Sequence, residues 1–382
     1  LAFEPQNSYV VDVEVTDQGG TGLTFTKTFT VTVTDVNDAP VITSANAVSV
    51  AENQTAVLTV TYTDTDVPAD TILYSIVGGA DGGLFSIDGS GNLTFNAAPD
   101  YENPGDADLG NDYVVQVQVD DQQGGTATQT ITVSVTDVNE APTDIALSNS
   151  SLAENTDTTG GVAVGNLSTT DVDAGDTFTY AVVGGADAAV FSISGNQLVM
   201  DDGVLDFETQ NSYVVDVEVT DQGGTGLTFT KTFTVTVTDV NEAPTDIALS
   251  NTSLAENTDT SGGVAVGNLS ASDVDAGDTF TYAVVGGADA AVFTISGNQL
   301  LIDDGVLDFE TQNSYVVDVE VTDQGGTGLT FTKTFTVTVT DVNEAPTVAN
   351  AILNQVATED VAFSFTFAAN TFNDVDVGDS LT

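Results

Sequence analysis

Tyr213-Val-Val-Asp-Val-Glu-Val219 and Phe229-Thr-Lys-Thr-Phe-Thr-Val-Thr-Val237 each alternate apolar and polar residues, and Asp221-Gln-Gly-Gly224 lies between them. A period of two, rich in Val, Thr, Phe and Tyr around a Gly-Gly turn, predicts a β-hairpin with one face buried. Outward from this hairpin, Ile145–Leu152, Val162–Leu167, Phe178–Val183, Val190–Ile193 and Gln197–Met200 have the same strand-like character. Gly, Asp or Asn bounds each of them. Seven short strands in about 100 residues, with no helical periodicity of useful length, predict an all-β antiparallel sandwich. Phe178, Tyr180, Phe191, Tyr213 and Phe233 are candidate core aromatics, while Gly184-Gly185 and Gly223-Gly224 read as hairpin turns.

The hairpin recurs. Asp-Val-Asn-Asp/Glu-Ala-Pro stands at 35–40, 137–142, 239–244 and 341–346, with starts separated by 137 − 35 = 102, 239 − 137 = 102 and 341 − 239 = 102 residues. A fixed period of this size is a tandem array of small domains. Residues 1–39 read as the C-terminal part of a repeat, 40–141, 142–243 and 244–345 as complete repeats, and 346–382 as the N-terminal part of a further domain. The repeats 142–243 and 244–345 differ only by mild exchanges such as Ser192/Thr294 and Met200/Ile302. Pro142, Pro244 and Pro346 close the acidic motif, so each linker is expected to be short and extended rather than a flexible tether.

Composition narrows the chemistry. With 58 Asp and Glu against 3 Lys and Arg, the formal charge is −55, which repels nucleic acid and anionic lipid. The absence of His, Cys and Trp removes imidazole and thiol catalysis, His- or Cys-ligated metals and disulfides. Oxygen remains, as carboxylates, amides, hydroxyls and carbonyls, and it suits hard cations, Ca²⁺ above all. No apolar run approaches the ~18 residues of a membrane span, so no membrane insertion is expected in this segment. No targeting signal is visible at Leu1-Ala2-Phe3-Glu4.

Each complete repeat carries acidic groups in one order, here from 142–243: Ala153-Glu154-Asn155, Asp171-Val-Asp173, Asp206-Phe-Glu208, Thr220-Asp221 and Asp239-Val-Asn241-Glu242. An x-spaced pair of acids puts both carboxylates on the same side of an extended chain, where they can converge on one ion. Taken singly, each is as well explained by a solvated turn. A salt-adapted surface scatters its carboxylates, whereas these return in fixed order at domain ends. Asp171-Val-Asp-Ala-Gly-Asp176 imitates a helical Ca²⁺ loop, but Val182 stands at position 12 and no helices flank it. A glycosidase pair such as Asp206 with Glu208 is disfavoured because it recurs along the chain without a cleft-forming insertion or a cation to tune it.

In order and spacing these motifs resemble tandem cadherin repeats of bacterial type, from Leu1 to about Ala345. The last segment, with Ala357-Thr-Glu-Asp360 and Asn373-Asp-Val-Asp376, is similar to the start of a dystroglycan-type cadherin-like domain. The resemblance implies Greek-key, immunoglobulin-like seven-stranded sandwiches in a linear array, with two or three Ca²⁺ in each joint. By that resemblance the third joint takes Glu154, Asp206, Glu208, Asp239, Asn241 and Glu242 from one repeat and Asp273, Asp275 and Asp323 from the next. The second takes Glu52, Asp100, Glu102, Asp137, Asn139 and Glu140 with Asp171, Asp173 and Asp221. The first takes Glu4, Asp35, Asn37 and Asp38 with Asp64, Asp66 and Asp121, and the fourth Glu256, Asp308, Glu310, Asp341, Asn343 and Glu344 with Asp374 and Asp376. The animal linker ends Asn-Asp-Asn-Ala-Pro; here its second Asn is missing and Glu140, Glu242 and Glu344 replace Asp. Ala2 replaces an acidic residue at the first joint.

The expected function is a Ca²⁺-rigidified extracellular stalk or adhesin, non-enzymatic, at the surface of a bacterial cell or secreted from it. Its expected partners are Ca²⁺ and either itself, another surface protein or a glycan. The other reading is a passive Ca²⁺-stiffened spacer presenting a catalytic or carbohydrate-binding domain elsewhere in a larger protein.

Overall fold

The computed structural model describes residues 7–66, 71–224, 226–376 and 378. In the repeat 142–243 the strands are β1 (Asp144–Leu147), β2 (Ser151–Ala153), β3 (Val162–Thr170), β4 (Phe178–Gly184), β5 (Phe191–Ser194), β6 (Gln197–Met200), β7 (Ser212–Asp221) and β8 (Thr228–Thr238). They form two facing sheets, ordered β1-β3-β6-β5 and β2-β8-β7-β4.

The β7–β8 hairpin buries one face because its inward positions are apolar in register: Tyr213 faces Val235, Val215 faces Phe233 and Val219 faces Phe229. Tyr213, Val215, Val217, Val219, Val235 and Val237 are buried with Ile145, Leu167, Leu198 and Met200 of the opposite layer and Leu205 of the loop before β7 in one core. Each such side chain contributes about 1.5–3 kcal/mol of transfer free energy. Phe191 and Phe233 are buried, while Phe178 and Tyr180 pack half-buried against this core.

Two sequence expectations are corrected here. The stretch Ile145–Leu152 is not one strand. It breaks at Ser148-Asn149-Ser150, where the Asn149 amide donates to the Ser151 and Val164 carbonyls (2.7 and 2.9 Å). The chain crosses between sheets without reversing, so β2 meets β8 running the same way and pairs with it in parallel, Ser151↔Thr236 to Ala153↔Thr238. Gly184-Gly185, in turn, is no hairpin turn. It ends β4 at a bulge and carries the chain to the other sheet through a short 3-10 turn, Ala188–Val190. Gly185 has φ 104°, and a Cβ there would lie 2.5 Å from the Val214 oxygen, so backbone crowding demands glycine.

Residues 244–345 repeat this arrangement strand for strand. In 40–141 the larger sheet joins Ala47–Ala51, Thr126–Thr136, Asp112–Asp120 and Leu73–Gly78, and Ala56–Thr59, Asn92–Phe95 and Phe85–Ile87 face it. At the two ends, Ser8–Thr16 pairs with Thr24–Thr32 and Thr347–Val348 with Phe372–Asn373.

The scarce lysines tie the layers together. Lys231 stands on β8 opposite Val217, and its amine reaches Asp144 (2.6 Å) and the Ile145 carbonyl (2.7 Å) on β1. Lys333 does the same with Asp246 and Ile247. In 40–141 the uncharged Gln129 takes this place and donates to the Ser44 carbonyl at 3.1 Å.

Candidate metal centres

The second, third and fourth joints are each built around a buried glutamate. Glu154, 4% exposed, follows β2, and its carboxylate accepts the N–H groups of Phe207 (3.0 Å) and Val240 (2.5 Å). It thereby holds the Asp206–Glu208 turn and the linker against each other. Glu52 does this with Tyr101 and Val138, and Glu256 with Phe309 and Val342. The neighbouring Asn155 has φ 59°, a left-handed conformation that Asn tolerates, and its amide donates to Glu242 at 2.5 Å. Asn53 and Asn257 hold Glu140 and Glu344 in the same way. Sequence reasoning assigned these asparagines no role.

The linker then reaches into the next repeat. The Glu140, Glu242 and Glu344 N–H groups donate to Asp173, Asp275 and Asp376, each at 2.8 Å, and the Asp38 N–H to Asp66 at 3.0 Å. Asn37, Asn139 and Asn241 donate through their amides to Asp121, Asp221 and Asp323 at 2.9, 3.1 and 3.3 Å. The acid pairs do not lie on extended chain, as expected from sequence. The Asp173 N–H bonds back to Asp171 (3.3 Å) across a bend, as do Asp66 to Asp64, Asp275 to Asp273 and Asp376 to Asp374. Convergence comes from these turns rather than from a strand pleat.

Carboxylate oxygens within 4.8 Å of one another gather as Glu154, Glu208 and Asp239; as Glu208, Glu242 and Asp275; and as Asp273, Asp278 and Asp323. At the second joint Glu52, Glu102, Asp137 and Glu140 meet, and at the fourth Glu256, Glu310, Asp341 and Glu344. Asp278, and Asp176 one period earlier, were not among the sequence candidates, yet they face the same pocket. Asp100, Asp206 and Asp308 are not in these groups; each accepts an N–H within its own turn, from Asn103, Thr209 and Thr311. Asp35 likewise accepts the N–H of Val36, while Asn343 donates to the Glu344 carbonyl. Glu4 lies outside the described residues.

The electrostatics are one-sided. Loss of surrounding water, then the charges of Glu52, Asp137 and Glu140, push the Glu102 carboxyl up to about 7. Asp137, Glu140, Asp176, Glu208, Asp239, Glu242, Asp278 and Glu310 are raised, chiefly by loss of water and then by carboxylate neighbours. Buried acceptors without a donor recur in the same places: Asn139 Oδ1, Glu140 Oε2, Asp171 Oδ2, Asp173 Oδ1 and Asp176 Oδ2 at the second joint, and Asn241, Glu242, Asp273, Asp275 and Asp278 at the third. Buried oxygens that meet no N–H or O–H are costly, and an all-oxygen donor set fits a hard divalent cation.

The Cadherin domain family model matches residues 149–238 and 250–340. The extracellular domain of protocadherin GammaB4 superposes with a TM-score of 0.67 at 27% identity, covering 93% of this chain and 58% of that one. Residues 149–238 and 250–340 are tandem cadherin repeats. Its first complete sandwich matches the Bacterial Ig domain model over residues 37–134. Mouse Protocadherin Fat 4 is 29% identical over 396 residues, which is 99% of this chain but 8% of that protein. Mouse Cadherin EGF LAG seven-pass G-type receptor 3 is 30% identical over 310 residues, 77% of this chain and 9% of the relative. Ca²⁺ binding and an extracellular setting are typical of cadherin repeats, and the relatives are adhesion proteins rather than enzymes. Among the described residues no helix is long and apolar enough to cross a membrane.

Proposed function

We propose that this segment is a Ca²⁺-stiffened extracellular stalk of an adhesion protein, with its ions bound between successive repeats. The observation that carries the reading is the set of donorless buried oxygens, repeated from joint to joint. At the third joint Glu154, Glu208 and Asp239 would hold one ion, Glu208, Glu242 and Asp275 a second, and Asn241, Asp273, Asp278 and Asp323 a third; the second joint follows by the same positions. The first and third groups lie largely on single repeats, so the middle one does the bridging. Bound Ca²⁺ supplies positive charge and an oxygen-hungry coordination shell. Without it, the carboxylates repel one another across the joint and the repeats swing.

The bacterial setting is supported by the Bacterial Ig domain match, and attachment to a second copy of the chain or another surface protein by the adhesion proteins among the relatives. The test is calorimetric titration of the chelated chain with Ca²⁺ against Mg²⁺, beside a Glu208→Gln, Asp275→Asn variant. Saturable Ca²⁺ binding that the variant loses at one joint is expected. At about ten times the dissociation constant each site adds about 1.4 kcal/mol of stability. An unchanged melting temperature with and without chelator, and no Ca²⁺ heat beyond that of Mg²⁺, would sink the proposal.

A further inference from the structure

The repeat 40–141 carries a loop that its neighbours lack. Between the Asp-x-Glu pair and the next long strand, nine residues (103–111) stand where 142–243 has three (209–211). The loop is Asn103-Pro-Gly-Asp-Ala-Asp-Leu-Gly-Asn111. Asp106 within it is 4% exposed. Its Oδ2 accepts the Gly110 N–H at 2.9 Å, while its Oδ1 is buried with no donor. Asn111 donates to the Tyr101 carbonyl (2.8 Å), and its own Oδ1 is likewise buried without a donor.

Asp108 is exposed and its carboxylate lies against that of Asp106, a contact that raises the Asp108 carboxyl. A Cβ at Gly110 would meet both, at 3.0 Å from Asp108 Oδ1 and 3.9 Å from Asp106 Oδ2. Beneath them Asp81 is also buried, but both its oxygens are engaged, by the N–H groups of Ala107 and Val114 at 2.7 Å each. Asp81 therefore anchors the loop and adds charge without offering a ligand. No Lys or Arg occurs anywhere in residues 40–141, so this repeat has no cation of its own for the cluster.

We infer that the 103–111 loop is a separate Ca²⁺ site on the flank of the first complete repeat, with Asp106 Oδ1, the Asp108 carboxylate and Asn111 Oδ1 as its side-chain ligands. Backbone carbonyls and water would complete a shell of about 6–8 oxygens, which Ca²⁺ accepts in irregular geometry and Mg²⁺ does not. The exposed Asp108 is the side from which the ion enters. This site stands apart from the reading of the joints and does not depend on it.

The test counts bound Ca²⁺ per full chain by equilibrium dialysis and follows hydrogen exchange of residues 103–112, in the parent, Asp108→Asn and Asp106→Asn chains. The Gly110 N–H is the backbone donor that both carboxylates meet, and the amide oxygen left by either substitution still accepts from it, so both variants keep the loop's frame. Each is expected to bind one Ca²⁺ fewer than the parent and to lose the Ca²⁺-induced slowing of exchange in the loop, with the Glu208→Gln, Asp275→Asn joint variant keeping both. If the joints bind nothing, the loop step remains as a single equivalent. Equal ion counts in the parent and both variants, or loop exchange that responds to pH and not to Ca²⁺, would show a proton shared between Asp106 and Asp108 and overturn the inference.

Discussion

Glu208 stands in two of the three acidic groups at its joint, next to Glu154 and Asp239 on one side and Glu242 and Asp275 on the other. Glu208→Gln is accordingly expected to weaken two Ca²⁺ equivalents, whereas Asp278→Asn weakens one; the stepwise loss in a calorimetric titration separates them. A single equivalent lost in both variants would refute the shared position. The pairing of linker with downstream repeat came from the resemblance to cadherin repeats, while the recurrence of each motif at one offset was legible in the sequence itself. Asp176 and Asp278 were not, since an acid at the sixth position after a bend looks like any turn former until the fold turns it toward Asp221 or Asp323. The contact that Asn155 makes with Glu242 was hidden for a related reason, although the Ala-Glu-Asn motif itself was visible in the sequence. That contact depends on a left-handed backbone that no spacing announces.

At the level of elements, alternation revealed the hairpin, its core face and most of the strands, and the structure kept these while splitting Ile145–Leu152 in two. What it could not reveal was where the chain changes sheet, because Ser148-Asn149-Ser150 and Gly184-Gly185 are ordinary loop residues in composition and acquire meaning only from what packs over them. Gly185→Ala is expected to cost at least about 2 kcal/mol, since it combines a left-handed φ with a clash against the β7 backbone. Urea unfolding would show it, and a change under half that size would mean the crossing is more pliable than drawn. Lys231→Met, by contrast, should cost about 1 kcal/mol or less, because the ion pair to Asp144 is part-exposed, at 37% and 50% for the two side chains.

On the scale of the whole chain, three tandem sandwiches meet through linkers crowded with carboxylates whose proton affinities are raised. Because Glu102, Asp137 and Glu140 hold protons more tightly folded than unfolded, the ion-free protein gains stability from them below about pH 4.5 and loses it as pH rises toward about 7. In chelator the melting temperature should fall across that window, and saturating Ca²⁺ should abolish the slope; a flat profile in chelator would contradict the crowding. The parallel pairing of β2 with β8 has a consequence of another kind. Tension applied along the array enters a repeat near its first strands and leaves by β8, pulling two parallel neighbours in opposite directions along their length. The register from Ser151↔Thr236 to Ala153↔Thr238 is then loaded in shear, all its hydrogen bonds together rather than one after another. A single-molecule pulling trace should therefore show each complete sandwich giving way abruptly at high force, and Leu152→Pro, which removes a donor from that short seam, should lower the rupture force of its own repeat alone.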